Sequence, residues 1–159
     1  MIYFAYFHPL LEYGTAFWGN STESVKVFKL QKRAIRLMTG SNVRTSCRPL
    51  FPMLGIMTLL SQYIFSLMRF LTRSLEFYTF NSIIHKYNTR NRIQLQKPSS
   101  PLTIYQKGLY FESVGVFNKL PHNIAELISH NKSFLTKFKK YLLGKAFYSI
   151  DEYKNDHSD

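Results

Sequence analysis

The chain has 159 residues, the length of one ordinary domain and enough to bury a hydrophobic core. Hydrophobic residues make up 45% of it and aromatic residues 16%, which excludes an intrinsically disordered chain. Because 21 Lys and Arg stand against 9 Asp and Glu, the formal net charge is +12, and we expect a polyanionic partner, either nucleic acid or an anionic membrane.

Residues 1–20 are apolar, but they lack the basic n-region of a signal peptide and are interrupted by His8, Pro9 and Glu12. We expect an amphipathic segment whose apolar residues recur at loosely helical intervals around Pro9: Phe4, Phe7, Leu11, Ala16 and Phe17. Gly19 then breaks this pattern.

A second helix is predicted between a cap at Ser21 or Thr22 and a C-terminal Gly40. Its predicted apolar face consists of Val25, Phe28, Ile35 and Met38, flanked by Val27, Leu30, Ala34 and Leu37. Basic residues follow spacings of three and four along another face: Lys26, Lys29, Arg33 and Arg36. No acid occurs in residues 25–48, whereas solvated faces usually mix charges. A solvated face and a phosphate-binding face both stay open on these residues alone.

A third helix is predicted from about Thr58 to Thr72 or Arg73. Its buried candidates are Leu59, Ile64, Leu67, Met68 and Leu71. Residues 49–68 are uncharged, but they include two prolines, a glycine and polar side chains, so we do not expect them to span a membrane. Residues 85–108 are rich in Asn, Arg, Lys, Pro and Ser and are predicted to form an exposed polar connector.

The last part of the sequence predicts a short helix closed by Pro121, another over 123–128, and a final helix capped by Ser133. The apolar face of the final helix is Phe134, Phe138, Tyr141 and Leu142. We therefore expect a mainly α fold, an irregular helical bundle with a polar, loop-rich middle and no large sheet. Along the chain it divides into segments 1–75, 76–108, 109–150 and an acidic, frayed tail at 151–159.

Cys47 is the single cysteine, which excludes an internal disulfide and fits an intracellular compartment, cytoplasmic or nuclear. The five histidines lack metal-ligand spacing: His8, His85, His122, His130 and His157. The sequence therefore predicts no metal and no cofactor.

Acidic residues are placed unfavourably for catalysis of phosphoryl transfer. A polymerase holds two metal ions between converging carboxylates, but the first aspartate of this chain is Asp151 and no two aspartates are adjacent. The cysteine and the serines also lack a motif-defined base. We expect that the chain is not an enzyme by itself.

Aromatic residues offer two roles, packing and base stacking. Packing in the core is the favoured role of Tyr13, Trp18, Phe28 and Tyr63, since they fall on or near apolar faces. In the polar connector, a group of four residues has the composition of a phosphate-gripping and base-stacking loop: His85, Tyr87, Arg90 and Arg92. A structural role for His85 and Tyr87 stays equally open.

Several motifs occur in a fixed order: Leu11, Tyr13, Gly14 and Trp18-Gly19, then Leu30 to Arg36, Ser46 to Phe51, His85 to Arg90, Asn118 to Pro121 and Lys145 to Ser149. Together they resemble the C-terminal part of the polyprotein of non-LTR retrotransposons, in particular the jockey-like reverse transcriptases of insects. The resemblance extends from about Tyr3 to Tyr153.

In that family, this region follows the fingers and palm, begins in or near the thumb and contacts template, primer or element RNA. The resemblance therefore implies RNA or DNA as a partner in target-primed reverse transcription, together with the upstream palm and fingers of a parent RNA-directed DNA polymerase. The residues expected to bind nucleic acid are Lys26, Lys29, Lys32, Arg33, Arg36, Arg44, Arg48, His85, Tyr87, Arg90 and Arg92.

Two other interpretations are open. A membrane-associated protein would use its cationic and aromatic faces at an anionic surface, but the basic residues are spread over several segments. A translated remnant of a degraded element would have no selected activity.

Overall fold

The computed structural model describes residues 2–84, 92–97, 99 and 108–156. Over these ranges the chain forms α-helices, short 3₁₀ and π turns and one isolated bridge, so the predicted mainly α fold without a large sheet is confirmed. A π-helical turn at Tyr3–Phe7 precedes the α-helices, which are α1 (His8–Glu12), α2 (Thr15–Trp18), α3 (Ser24–Thr39), α4 (Leu50–Leu54), α5 (Leu59–Arg73), α6 (Asn81–Ile84), α7 (Leu109–Phe117), α8 (His122–Ala125), α9 (Asn131–Lys145) and α10 (Ile150–Lys154). Two 3₁₀ turns lie at Leu75–Phe77 and Glu126–Ser129.

Contacts divide the chain into two compact units. The first unit comprises residues 1–66 and 139–156, and the second lies within residues 67–138. The boundaries of these units fall inside α5 and α9. One cluster of buried hydrophobic residues in the first unit consists of Tyr3, Leu11, Ile35, Cys47, Phe51, Ile56, Leu59 and Ala146.

The position of α3 was predicted well at its end and less well at its start. Gly40 follows the helix in the left-handed conformation, with φ 61°, which a glycine adopts without steric cost. The predicted side-chain cap at Ser21 or Thr22 is wrong. The helix begins at Ser24, whose hydroxyl donates to the Ser21 carbonyl, and its N-cap Glu23 makes no side-chain cap bond.

Helix α5 matches its prediction in both range and buried face. All five expected side chains are buried, each 2% exposed or less: Leu59, Ile64, Leu67, Met68 and Leu71. The helical period alone identified them, because an amphipathic helix buries one stripe of its surface.

In the second unit, the middle of the polar connector is tied by hydrogen bonds to the chain at the start of α6. The N–H groups of Asn81 and Gln96 donate to the carbonyls of Gln94 and Thr79, at 2.9 and 2.8 Å, and Phe80 bridges Leu95. Leu95 is buried. Within residues 92–96, Leu95 therefore differs from the exposed connector that we expected, whereas Arg92 and Gln96 are exposed.

Asn118, the residue after the last residue of α7, also binds this segment. Its amide nitrogen donates to the Leu95 carbonyl and its amide oxygen accepts from the Leu95 N–H, both at 2.8 Å. One side chain thus satisfies both backbone groups of a buried residue. Asn118 belongs to one of the motifs of the family resemblance, and its role here is structural.

The C-terminal part corrects two expectations. Helix α9 begins at Asn131, so Ser133 lies inside it and does not cap it, and the helix ends at Lys145 before Ala146, whose φ is 48°. Residues 151–154 are not frayed, since they belong to α10, where Tyr153 is buried. The Ser149 hydroxyl accepts from the Glu152 N–H at 3.0 Å and caps this helix.

Candidate nucleic-acid interface

Helix α3 carries the largest group of predicted site residues. Lys26, Lys29 and Arg33 are exposed, and Lys32 and Arg36 are partly buried. At about 1.5 Å of rise per residue, the cations from Lys26 to Arg36 extend over about 15 Å of the helix. Among them, Lys26 pairs with Glu23, at 2.6 Å, in an exposed ion pair. Exposed pairs of this kind are weak and open readily.

Gln31 determines which face of α3 is exposed. It is 1% exposed, and its amide nitrogen donates to the Tyr3 hydroxyl and to the Met57 carbonyl, both at 2.9 Å. Its amide oxygen accepts from the Leu59 N–H at 2.8 Å. The buried stripe of the helix is therefore centred on Gln31 and Ile35.

The predicted apolar face of α3 was partly wrong for this reason. Of its four main members, Ile35 alone is fully buried, while Val25 is exposed. Phe28 is partly buried against the core cluster. A glutamine at the centre of a buried stripe gives no apolar signal, and its hydrogen-bond partners lie far away in the sequence.

A cluster around Tyr148 holds the edge of the basic face. The Nζ atom of Lys32 lies 4.7 Å from the centroid of the Phe28 ring and 5.6 Å from that of Tyr148. The guanidinium carbon of Arg48 lies 4.4 Å from the Tyr148 centroid. These are cation–π distances. Burial raises the pKa of the Tyr148 phenol, and the neighbouring Cys47 raises it further.

The guanidinium of Arg48, another residue predicted to bind phosphate, is paired with a carboxylate at the protein surface. Its guanidinium donates to both carboxylate oxygens of Glu152, with Nη2 to Oε2 at 3.2 Å. Partial burial opposes ionisation of Glu152, but the Tyr148 N–H and the Arg48 guanidinium outweigh it and lower the pKa of this carboxyl. Since a bidentate pair satisfies the guanidinium fork, Arg48 serves to join α10 to the start of α4.

Arg36 and Arg44 lie at the C-terminal end of the helix. The Nε atom of Arg36 donates to the Thr45 carbonyl at 3.0 Å, which fixes the turn after α3. Arg44 is exposed within that turn. The exposed cations of this part of the chain, excluding the paired Arg48, are Lys26, Lys29, Arg33 and Arg44.

The other predicted cluster is described only in part. His85, Tyr87 and Arg90 lie outside the described residues. Arg92 is exposed and belongs to the second unit, where its carbonyl accepts from the Ser82 N–H at 3.2 Å.

Three of the four aromatic residues expected to pack do so at least in part. Tyr63 is buried, and Gly19 lies directly against it. Trp18 is partly buried and donates from Nε1 to the Tyr13 carbonyl at 2.9 Å. Tyr13 itself is 84% exposed, so the expectation that it packs in the core is wrong.

Among residues 2–84, 92–97 and 108–156, no three side chains of the metal-ligating types come together. Over the same part of the chain, no helix combines the length and the apolar character that crossing a membrane requires. No family model, no curated protein and no solved structure matches the chain.

Proposed function

We propose that this protein binds RNA or DNA without catalysing a reaction, and that α3 contacts the phosphate backbone. One observation carries the proposal. Lys26, Lys29, Arg33 and Arg44 are exposed on α3 and the turn after it, and Glu23 pairs with one of them. Phosphate contacts by exposed cations supply most of the affinity in sequence-independent binding.

The geometry of the helix supports this role. Lys26, Lys29 and Arg33 follow each other at about 4.5 and 6 Å along the axis. One strand of duplex DNA presents a phosphate at about every 3.4 Å of rise. Side chains as long as Lys and Arg therefore reach neighbouring phosphates from one side of the helix.

The ordered motifs support a more specific proposal. The chain corresponds to the region after the palm in the reverse transcriptase of a non-LTR retrotransposon, where it supports template and primer binding. Catalysis then belongs to the palm of the parent RNA-directed DNA polymerase, in line with the absence of any aspartate before Asp151. The competing interpretation is a degraded remnant without selected activity.

A matched pair of charge-reversal variants tests the role of α3. Lys29→Glu with Arg33→Glu changes the proposed interface, whereas Lys132→Glu with Lys137→Glu changes exposed lysines of α9. Each reversal removes two charges, so both double variants go from +12 to +8. Any difference between them reports the position of the charges and not the net charge.

The measurement is the affinity for an RNA hairpin and for a DNA duplex across a salt series. With four exposed cations on phosphates, log K should fall against log salt with a slope of about −3.6 on the duplex, and the α3 variant should lose about 2 of that slope. The α9 variant should keep the wild-type slope. Equal losses in the two variants would show that α3 has no special role, and weak, salt-independent binding by the wild type would favour the remnant.

Primer extension tests the absence of catalysis. We expect no incorporation of nucleotides on a primed RNA template with Mg²⁺ present. Incorporation above a buffer control would contradict a non-catalytic role.

A further inference from the structure

Beside the basic face of α3 lies an open apolar groove of about 670 Å³. One wall is the N-terminal segment and the other is the C-terminal half of α3. The residues that line it are Ile2, Tyr3, Tyr6, Phe7, Leu10, Ala34, Leu37 and Met38. All of them belong to the first unit.

The floor of the groove is packed and hydrogen-bonded to the protein interior. Tyr3 is buried, its hydroxyl is bonded to Gln31, and its ring lies 5.3 Å from that of Phe7. A floor fixed in this way needs no rearrangement to receive a ligand, which reduces the entropic cost of binding.

The walls of the groove carry large apolar side chains that are mostly exposed to solvent. Ile2, Tyr6 and Leu10 recur every four residues on one side of the N-terminal segment, with exposed fractions of 79%, 73% and 74%. Leu37 faces the groove from α3 and is 75% exposed. Single exposed apolar residues are ordinary, but a contiguous apolar groove marks an interaction site. Phosphate binding by the cations of α3 leaves this surface unused.

An exposed row along α3, which includes Leu37 of the groove wall, combines apolar and cationic residues. Lys26, Leu30, Arg33 and Leu37 follow at spacings of four, three and four, and all are exposed. Since residues at these spacings share one side of a helix, the row alternates a cation with a leucine. The complementary surface alternates acidic and apolar side chains in the same way.

We propose that this groove binds an amphipathic helix of a partner protein. Apolar residues at positions i, i+3 or i+4 and i+7 of the partner fill the groove, and Asp or Glu residues along one flank face Arg33 and Lys26. The acidic flank lies on the α3 side. The charge pattern thus specifies both the composition of the partner helix and the side on which its acids lie.

Charge also decides against a second copy of this chain as the occupant. Two copies would bring the cationic rows of two α3 helices together, in a protein whose formal net charge is +12. Like charges at an interface oppose association.

A displayed library of helical peptides tests the proposal without knowledge of the natural partner. The peptides are randomised on all faces and are selected for binding to the wild-type protein. Tyr6→Ser with Leu37→Ser removes both walls, and Phe17→Ser with Val25→Ser is the control, since Phe17 and Val25 are 84% and 54% exposed but do not line the groove.

We expect enrichment of apolar residues at the three anchor positions and of Asp and Glu on one flank. The best peptide should bind the groove variant at least about tenfold more weakly than the wild type and the control variant equally well. Replacing its acids by Lys should weaken binding by about tenfold as well. RNA binding by the groove variant should equal that of the wild type, which separates the apolar groove from the phosphate-binding face, although the two share Lys26 and Arg33.

Several results would overturn the proposal. These are no enrichment, selection of peptides without acidic residues, or equal binding to the groove variant. A dimer in sedimentation equilibrium that dissociates in the groove variant would identify a second copy as the occupant. Binding to phosphatidylserine vesicles that is lost in the same variant would identify a membrane.

Discussion

Replacement of Gln31 by leucine tests the buried hydrogen-bond network that orients α3. The substitution keeps a side chain of similar size but removes three hydrogen bonds, to the Tyr3 hydroxyl, the Met57 carbonyl and the Leu59 N–H. Gln31 is 1% exposed, so water does not replace the lost partners. The three groups are left buried and unsatisfied.

The expected loss follows from those groups. Each buried polar group without a partner costs about 1–3 kcal/mol, and removal of the buried amide returns about 1–3 kcal/mol of desolvation. The free energy of unfolding should therefore fall by about 2–6 kcal/mol. Tyr3→Phe removes one partner and leaves the bond to Met57, so its cost should be about 1 kcal/mol.

Urea unfolding measures the loss of stability in Gln31→Leu and in Tyr3→Phe. Unfolding is monitored by circular dichroism and by the fluorescence of Trp18, the single tryptophan. Coincidence of the two signals establishes a two-state transition. Gln96→Leu is the control, because the Gln96 side chain is exposed, and it should change stability by no more than about 0.5 kcal/mol. A loss below about 1 kcal/mol for Gln31→Leu would refute the buried network.

Two further predictions concern the ion pair between Arg48 and Glu152 and the glycine, Gly19, that packs against Tyr63. The pKa of Glu152 is lowered in the folded protein, so its stabilising contribution is present above the unfolded pKa of about 4.3 and is lost as the pH falls through the folded value. The wild type should therefore lose more stability than Glu152→Gln between pH 6 and pH 3 in urea titrations, and parallel losses would contradict the ion pair. A Cβ at Gly19 would lie 2.6 Å from Cδ2 of Tyr63 and 2.7 Å from the Thr15 carbonyl oxygen, so Gly19→Ala should destabilise by about 1–3 kcal/mol. Gly115 lies in α7 with open space at its Cβ, so Gly115→Ala should stabilise by about 0.5–1 kcal/mol, and equal melting temperatures of the two variants would refute this contrast.

The helical spacing of apolar residues predicted those helices that bury a single apolar stripe. The range and the buried face of α5 followed from apolar residues at helical spacing, and Gly40 marked the end of α3 because a left-handed residue there is usually glycine. The starts of α3 and α9 were predicted one to three residues away from their true positions. Side-chain caps compete with backbone turns there, as the Ser21–Ser24 turn shows.

The structure shows which cations of the candidate interface are exposed and which are paired, and their binding to nucleic acid stays a prediction. A row of cations at spacings of three and four indicates a basic helix face, and Lys29 and Arg33 are indeed exposed on α3. Arg48 has the same residue type and lies in the same acid-free stretch. Its partner Glu152 is 104 residues away, so no local pattern distinguishes it from a phosphate ligand.

The sequence by itself determined the helical class, the basic character of α3 and the absence of paired aspartates before Asp151, because these depend on local spacing and on composition. The tertiary structure alone decided which face of α3 is exposed, which cations are already paired, and where the apolar groove lies. Each of these depends on contacts between residues far apart in the chain, such as Gln31 with Tyr3 and Arg48 with Glu152. Whether a side chain is buried, paired or exposed depends on which distant residues pack against it. Residue type and local spacing do not specify those distant residues.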